Sequence, residues 1–112
     1  MDRDVEGSGA EVFSVTVADG SPPVVKLVGE LDLATVHVFR GALDELPGDV
    51  VLDCTALDFV DSSGLSAIVD EHRVRTGSGH RLTLRGLSAT TYQTFELTGL
   101  HRELDIEPPD HG

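Results

Sequence analysis

The chain has 112 residues, 39% hydrophobic and only 4% aromatic, enough for one domain whose core is built from Val, Leu, Ile and Ala rather than from stacked rings. Eight basic residues against twenty acidic ones give a formal charge of -12, which argues against direct binding to nucleic-acid phosphates or anionic lipid headgroups. No segment approaches the roughly 18 apolar residues of a membrane span, and the polar start lacks the basic and apolar regions of a secretory signal.

Residues 1–10 are expected to form a flexible leader and 108–112 a flexible tail, with the folded domain over 11–107. From Val12 to Val17, Phe13, Val15 and Val17 alternate with Ser14 and Thr16, the period of a half-buried strand. The cluster Asp19, Gly20, Ser21, Pro22, Pro23 marks a turn. The following run Val24 to Val28 predicts an antiparallel hairpin. Gly29 ends that strand, and Asp32 or Thr35 can cap a helix whose buried stripe is Val36, Phe39, Leu43 and Leu46. Pro47, Gly48 and Asp49 break it before Val50 to Cys54, whose near-continuous hydrophobicity predicts a central strand covered on at least one face. Cys54, the single cysteine, can form no intramolecular disulfide and reads as a small buried hydrophobe.

Leu57, Phe59 and Val60 continue the apolar run, with Phe59 readable as core or as contact. Leu65, Ile68, Val69 and His72 then follow the i, i+3, i+4, i+7 spacing of an amphipathic helix reaching Thr76, before Gly77, Ser78 and Gly79. Arg81 to Arg85 alternates Leu82 and Leu84 as another strand. A last helix is capped by Ser88, turns Tyr92 and Phe95 inward and stops at Gly99. Leu104 to Ile106 can add a short edge strand. The order β, β, α, β, α, β, α contains two strand-helix-strand crossovers, which require parallel neighbours and right-handed connections. An α/β fold is predicted, with a mixed sheet of four to five strands, parallel at its centre and antiparallel at one edge, packed by three main helices.

The chemistry concentrates at Asp61, Ser62, Ser63, Gly64 and Leu65, where an apolar run ends and a helical pattern begins. A helix N-terminus presents unpaired N–H groups and favours negative charge, phosphate above all. A hydrolase elbow is a poor match, because it needs glycine two residues before the serine and Val60 stands there. None of His37, His72, His80, His101 and His111 has the context of a general base. No Cys/His pairing or alternating carboxylate loop suggests a metal, and no cofactor motif is present. Arg81 and Arg85 are too few for a nucleic-acid patch and read as solvated strand residues. Capping by Asp61 or Ser62 would stabilise the helix by about 1 kcal/mol. Gly64 inside the first turn lowers helix propensity by about 1 kcal/mol relative to alanine. Its presence points to a close backbone approach, in a space that a partner reaching a serine hydroxyl could use.

Two motifs carry a family resemblance: Gly29, Glu30, Leu31, Asp32 ahead of the first helix, and Asp58, Phe59, Val60, Asp61, Ser62, Ser63, Gly64, Leu65 ahead of the second. The closing segment from Tyr92 to Leu100 adds to it. The chain resembles a stand-alone STAS domain of the anti-sigma factor antagonist family of bacterial partner-switching systems, over about residues 11–107. The resemblance implies a cytoplasmic regulator that is not an enzyme. It implies phosphorylation of Ser62, the serine directly after the motif aspartate, by an anti-sigma factor with a GHKL-type serine kinase fold. It further implies that the unphosphorylated form binds this anti-sigma factor and frees the sigma factor, and that a PP2C-type phosphatase resets the switch. Asp32, Asp61 and Ser62, with Ser63 and Gly64 beside them, are the implied partner-binding residues; the stretch His37 to Arg40 is less typical and leaves the partner's identity open. The alternative within the same family is a non-phosphorylated STAS subunit of a stressosome-like or lipid-transport complex.

Overall fold

The computed structural model describes residues 2–6, by their backbone, and residues 13–109; residues 1, 7–12 and 110–112, with parts of the expected leader and tail and with His111, lie outside the described residues. In chain order the elements are β1 (Asp2–Glu6), β2 (Phe13–Ala18), β3 (Val24–Leu31), α1 (Val36–Asp44), β4 (Val50–Val60), α2 (Ser62–Gly77), β5 (Leu82–Arg85), α3 (Ala89–Leu97), α4 (Leu100–Glu103) and β6 (Asp105–Ile106). The strands lie in one sheet in the order of the sequence.

The alternation in β2 and β3 has the expected result: they pair antiparallel from Phe13 opposite Gly29 to Ala18 opposite Val24. Phe13, Val15, Val17, Val25 and Leu27 are buried, while Ser14, Thr16 and Lys26 face the other side of the pleat. The crossovers through α1 and α2 make β3, β4 and β5 parallel neighbours. Two right-handed crossovers advancing in the same direction place both helices on one face of the sheet. There Val38, Phe39, Ala42 and Leu43 of α1 and Leu65, Ala67, Ile68 and Val69 of α2 close over Leu52 and Cys54. β4 is the central strand; Val51 and Asp53, on its other face, are only half-buried.

Several expectations are corrected. Within the predicted leader, Asp2–Glu6 pairs antiparallel with β2 and adds an outermost strand to the sheet. The polar run carried no strand signal because β2 offers a free row of main-chain N–H and C=O groups to any extended segment. The α1 stripe includes Val38 and Ala42, whereas Val36 is half-buried. Beyond Gly99, which turns the chain at φ 76°, His101 lies within a further short helix, α4. Leu104 is buried and Asp105–Ile106 pairs parallel with β5 as the far edge.

Candidate functional site

The junction between β4 and α2 is built by Asp61. Its N–H donates to Leu31 O at 3.1 Å, continuing the β3–β4 pairing, and its own carbonyl accepts from Leu65 N at 2.9 Å to open the helix. The carboxylate divides between two segments: Oδ1 accepts from Gly64 N at 2.9 Å, and Oδ2 accepts from Leu33 N at 3.3 Å. Of the two capping candidates it is therefore Asp61 that caps α2 and ties it to the β3–α1 loop. In that loop Asp32 Oδ1 accepts from Ala34 N at 3.0 Å and Thr35 N at 3.2 Å, an Asx-type turn. Thr35 occupies the N-cap position of α1 without a side-chain bond into the helix; its hydroxyl instead donates to Glu30 O at 2.9 Å.

Capping by Asp61 leaves the serines unencumbered. Ser62 is the first residue of α2 and is exposed, and Ser63 is half-buried. No hydrogen bond within the described residues engages either hydroxyl. Beside Ser62 a shallow groove of about 320 Å³ runs between α2 and α4, lined by Leu65, Ser66, Val69, Asp70, Arg73 and Leu100.

Gly64 is buried, and the backbone that approaches it belongs to this chain. A β-carbon there would lie 2.5 Å from Leu31 O and 2.8 Å from Val60 Cγ1. The glycine packs the end of β3 against the first turn of α2, and the space expected for a partner is filled from within. Ser62, Ser63, Asp61 and Asp32 come together at one end of the sheet; Gly64 lies directly beneath them.

The charge in the segments that form the junction is acidic, and the nearby arginines are paired. Residues 27–39 and 55–72 contain Glu30, Asp32, Asp58, Asp61, Asp70 and Glu71 but no Lys or Arg. Arg40, just beyond, is held by Asp70 at 3.2 Å, and Arg73, in the groove wall, by Glu103 at 2.8 Å. Cys54 is a buried core residue, and its thiol is pushed up to about 12, first by burial and then by the charge of Asp53, so it stays protonated. Leu33 also belongs to the junction: its N–H completes the Asp61 bridge and its side chain is exposed. A leucine between a strand and a helix carries no periodic signal for its orientation.

The family described as "Mlab, STAS domain" matches residues 14–107. An anti-sigma-B factor antagonist of Bacillus subtilis (strain 168) is 29% identical over 91 residues, covering 79% of this chain and 84% of the relative. Among solved structures, an anti-sigma factor antagonist from Mycobacterium paratuberculosis superposes with a TM-score of 0.74 at 24% identity, covering 87% of this chain and 86% of that one. The Bacillus cell fate determinant SpoIIAA in its phosphorylated form superposes with a TM-score of 0.63 at 23% identity, covering 86% and 91%.

Proposed function

The chain belongs to the STAS domain family, and from that footing we propose that it is an anti-sigma factor antagonist switched by phosphorylation of Ser62. In this reading the unphosphorylated protein binds an anti-sigma factor of the GHKL serine-kinase type in the cytoplasm and releases the sigma factor. The kinase transfers the γ-phosphoryl group of ATP to Ser62 Oγ; the hydroxyl proton is lost and ADP leaves. A PP2C-type phosphatase hydrolyses the ester and restores binding. The protein itself is a regulator rather than an enzyme.

The observation that carries this reading is the exposed, unbonded hydroxyl of Ser62 on the first residue of α2. Because Asp61 rather than Ser62 caps the helix, modification costs no structural hydrogen bond. A phosphate adds about -1.5 to -2 charges beside Asp61. Two unit charges about 6 Å apart repel by roughly 0.7 kcal/mol in water and about 3 kcal/mol at an effective dielectric of 20. The free protein, wet and aided by the helix dipole, feels the smaller figure. A closed complex, in which nucleotide phosphates must stand at Ser62 for transfer, feels the larger.

The test is incubation with ATP, Mg²⁺ and candidate anti-sigma factor kinases, read by intact mass and peptide mapping. One phosphate on Ser62, abolished in Ser62→Ala, is expected, together with weakened binding of Ser62→Asp. Phosphate confined to Ser63 would move the acceptor by one residue. No phosphate from any such kinase would favour the alternative of a structural STAS subunit.

A further inference from the structure

Four large apolar side chains stand exposed among the described residues: Leu33 at 74%, Phe59 at 50%, Val74 at 67% and Leu97 at 81%. Val74 and Leu97 are separate, on α2 and α3. Leu33 and Phe59 belong to the same end of the sheet. Phe59 pairs with Glu30 and its neighbour Val60 with Leu31; Leu33 lies two residues beyond and is held by Asp61. Single exposed hydrophobics are ordinary, so the surroundings must decide their meaning. Here Glu30, Asp32, Asp58 and Asp61 each lie within three residues of Leu33 or Phe59, and residues 27–39 and 55–72 hold no Lys or Arg. A second copy of the chain would bring the same charges face to face, and an anionic membrane would repel them. The complement is a protein surface of opposite sign.

We propose that Leu33 and Phe59 are the apolar anchors of the partner contact, and that they enter an apolar recess ringed by Lys and Arg on the anti-sigma factor. This rests on the reading of Ser62 as the switch and adds what holds the unmodified complex together. Asp61 supplies the link, since one carboxylate oxygen fixes the first turn of α2 and the other fixes Leu33 N–H. Anchor loop and phosphoacceptor are thereby kept in register. The surface then carries two electrostatic effects of opposite direction. The acidic rim attracts the partner's basic ring, whereas charge on Ser62 meets the nucleotide phosphates and repels.

The experiment measures binding of the purified kinase that phosphorylates Ser62, with ADP present, by calorimetry and stopped flow. Leu33→Ala and Phe59→Ala are each expected to weaken binding about tenfold or more. Val74→Ala and Leu97→Ala should change it by less than about twofold, with far-UV spectra of all four unchanged. Raising NaCl from about 0.05 to about 0.5 M should slow association several-fold. If the Leu33 and Phe59 variants bind like wild type while Ser62→Asp still weakens binding, the anchors are wrong and the switch stands. Salt-independent association overturns the basic ring. If wild type neither binds nor accepts phosphate from such kinases, the switch and the surface fall together.

Discussion

At Gly64 the methyl of an alanine would have to displace the Leu31 carbonyl. Overpacking of this kind costs about 1–3 kcal/mol, against about 1 kcal/mol gained from alanine's helix propensity. Gly64→Ala is therefore expected to lower the urea midpoint, and an unchanged or raised midpoint would show that β3 can yield. Two carboxyl groups make the pH dependence legible. For Asp53, burial pushes the pKa upward, but the Thr55 N–H at 3.0 Å and hydroxyl at 2.7 Å, with the charges of Arg85 and Lys26, bring it below its usual 3.8. Its stabilisation is present above that unfolded value and is lost as pH falls through the lowered folded one. Glu71 is the reverse: burial raises it above 4.5 against the charge of Arg75, so stability declines as pH rises from 4.5 through the folded value. Urea midpoints between about pH 3 and about pH 7 should accordingly lose part of their acid-side fall in Asp53→Asn and part of their decline above 4.5 in Glu71→Gln.

Helix α1 ends against α2 through one side chain. Arg75 is buried, and its guanidinium donates to Leu43 O at 2.8 Å, Leu46 O at 2.7 Å and Gly48 O at 2.6 Å, with Glu71 at 3.6 Å. Carbonyls at a helix end lack intrahelical donors, and a cation there also meets the negative end of the helix dipole. Arg75→Met keeps an unbranched apolar stem but removes the donors, and should cost about 2–4 kcal/mol by chemical denaturation. Arg75→Lys should recover only part, because a single ammonium cannot span three carbonyls. The role was hidden in the amino-acid order. Arg75 lies seven residues after Ile68 and so shares its face, but a periodicity of apolar residues passes over an arginine whose partners are main-chain atoms about 30 residues away. The hairpin, the two crossovers and the Ser88 cap, whose hydroxyl accepts from Thr91 N at 3.1 Å, depend on neighbours a few residues apart and were readable. β1 and α4 were not, since both are held mainly by what they pack against.

Across the whole molecule the proposed switch needs a fold that tolerates charge at Ser62 and a complex that does not. Ser62→Asp places a carboxylate at the N-terminus of α2, where the dipole favours it, beside Asp61, which does not. The two nearly offset, so the melting temperature should move by less than about 5 °C while partner binding falls. A large loss of stability would mean that the variant acts by unfolding. Amino-acid order alone was sufficient for the α/β class, the parallel centre of the sheet, the strand-to-helix position of Ser62 and the family motifs, because alternation, helical spacing and turn residues act over a few positions. Only the folded chain decided that Asp61 rather than Ser62 is the cap, that Gly64 makes room for Leu31 rather than for a visitor, and that Leu33 and Phe59 stand exposed at the end of the sheet where α2 begins. Each of these depends on β3 and β4 meeting at their ends. Contacts between residues some 30 positions apart are set by how the sheet and its helices close on one core.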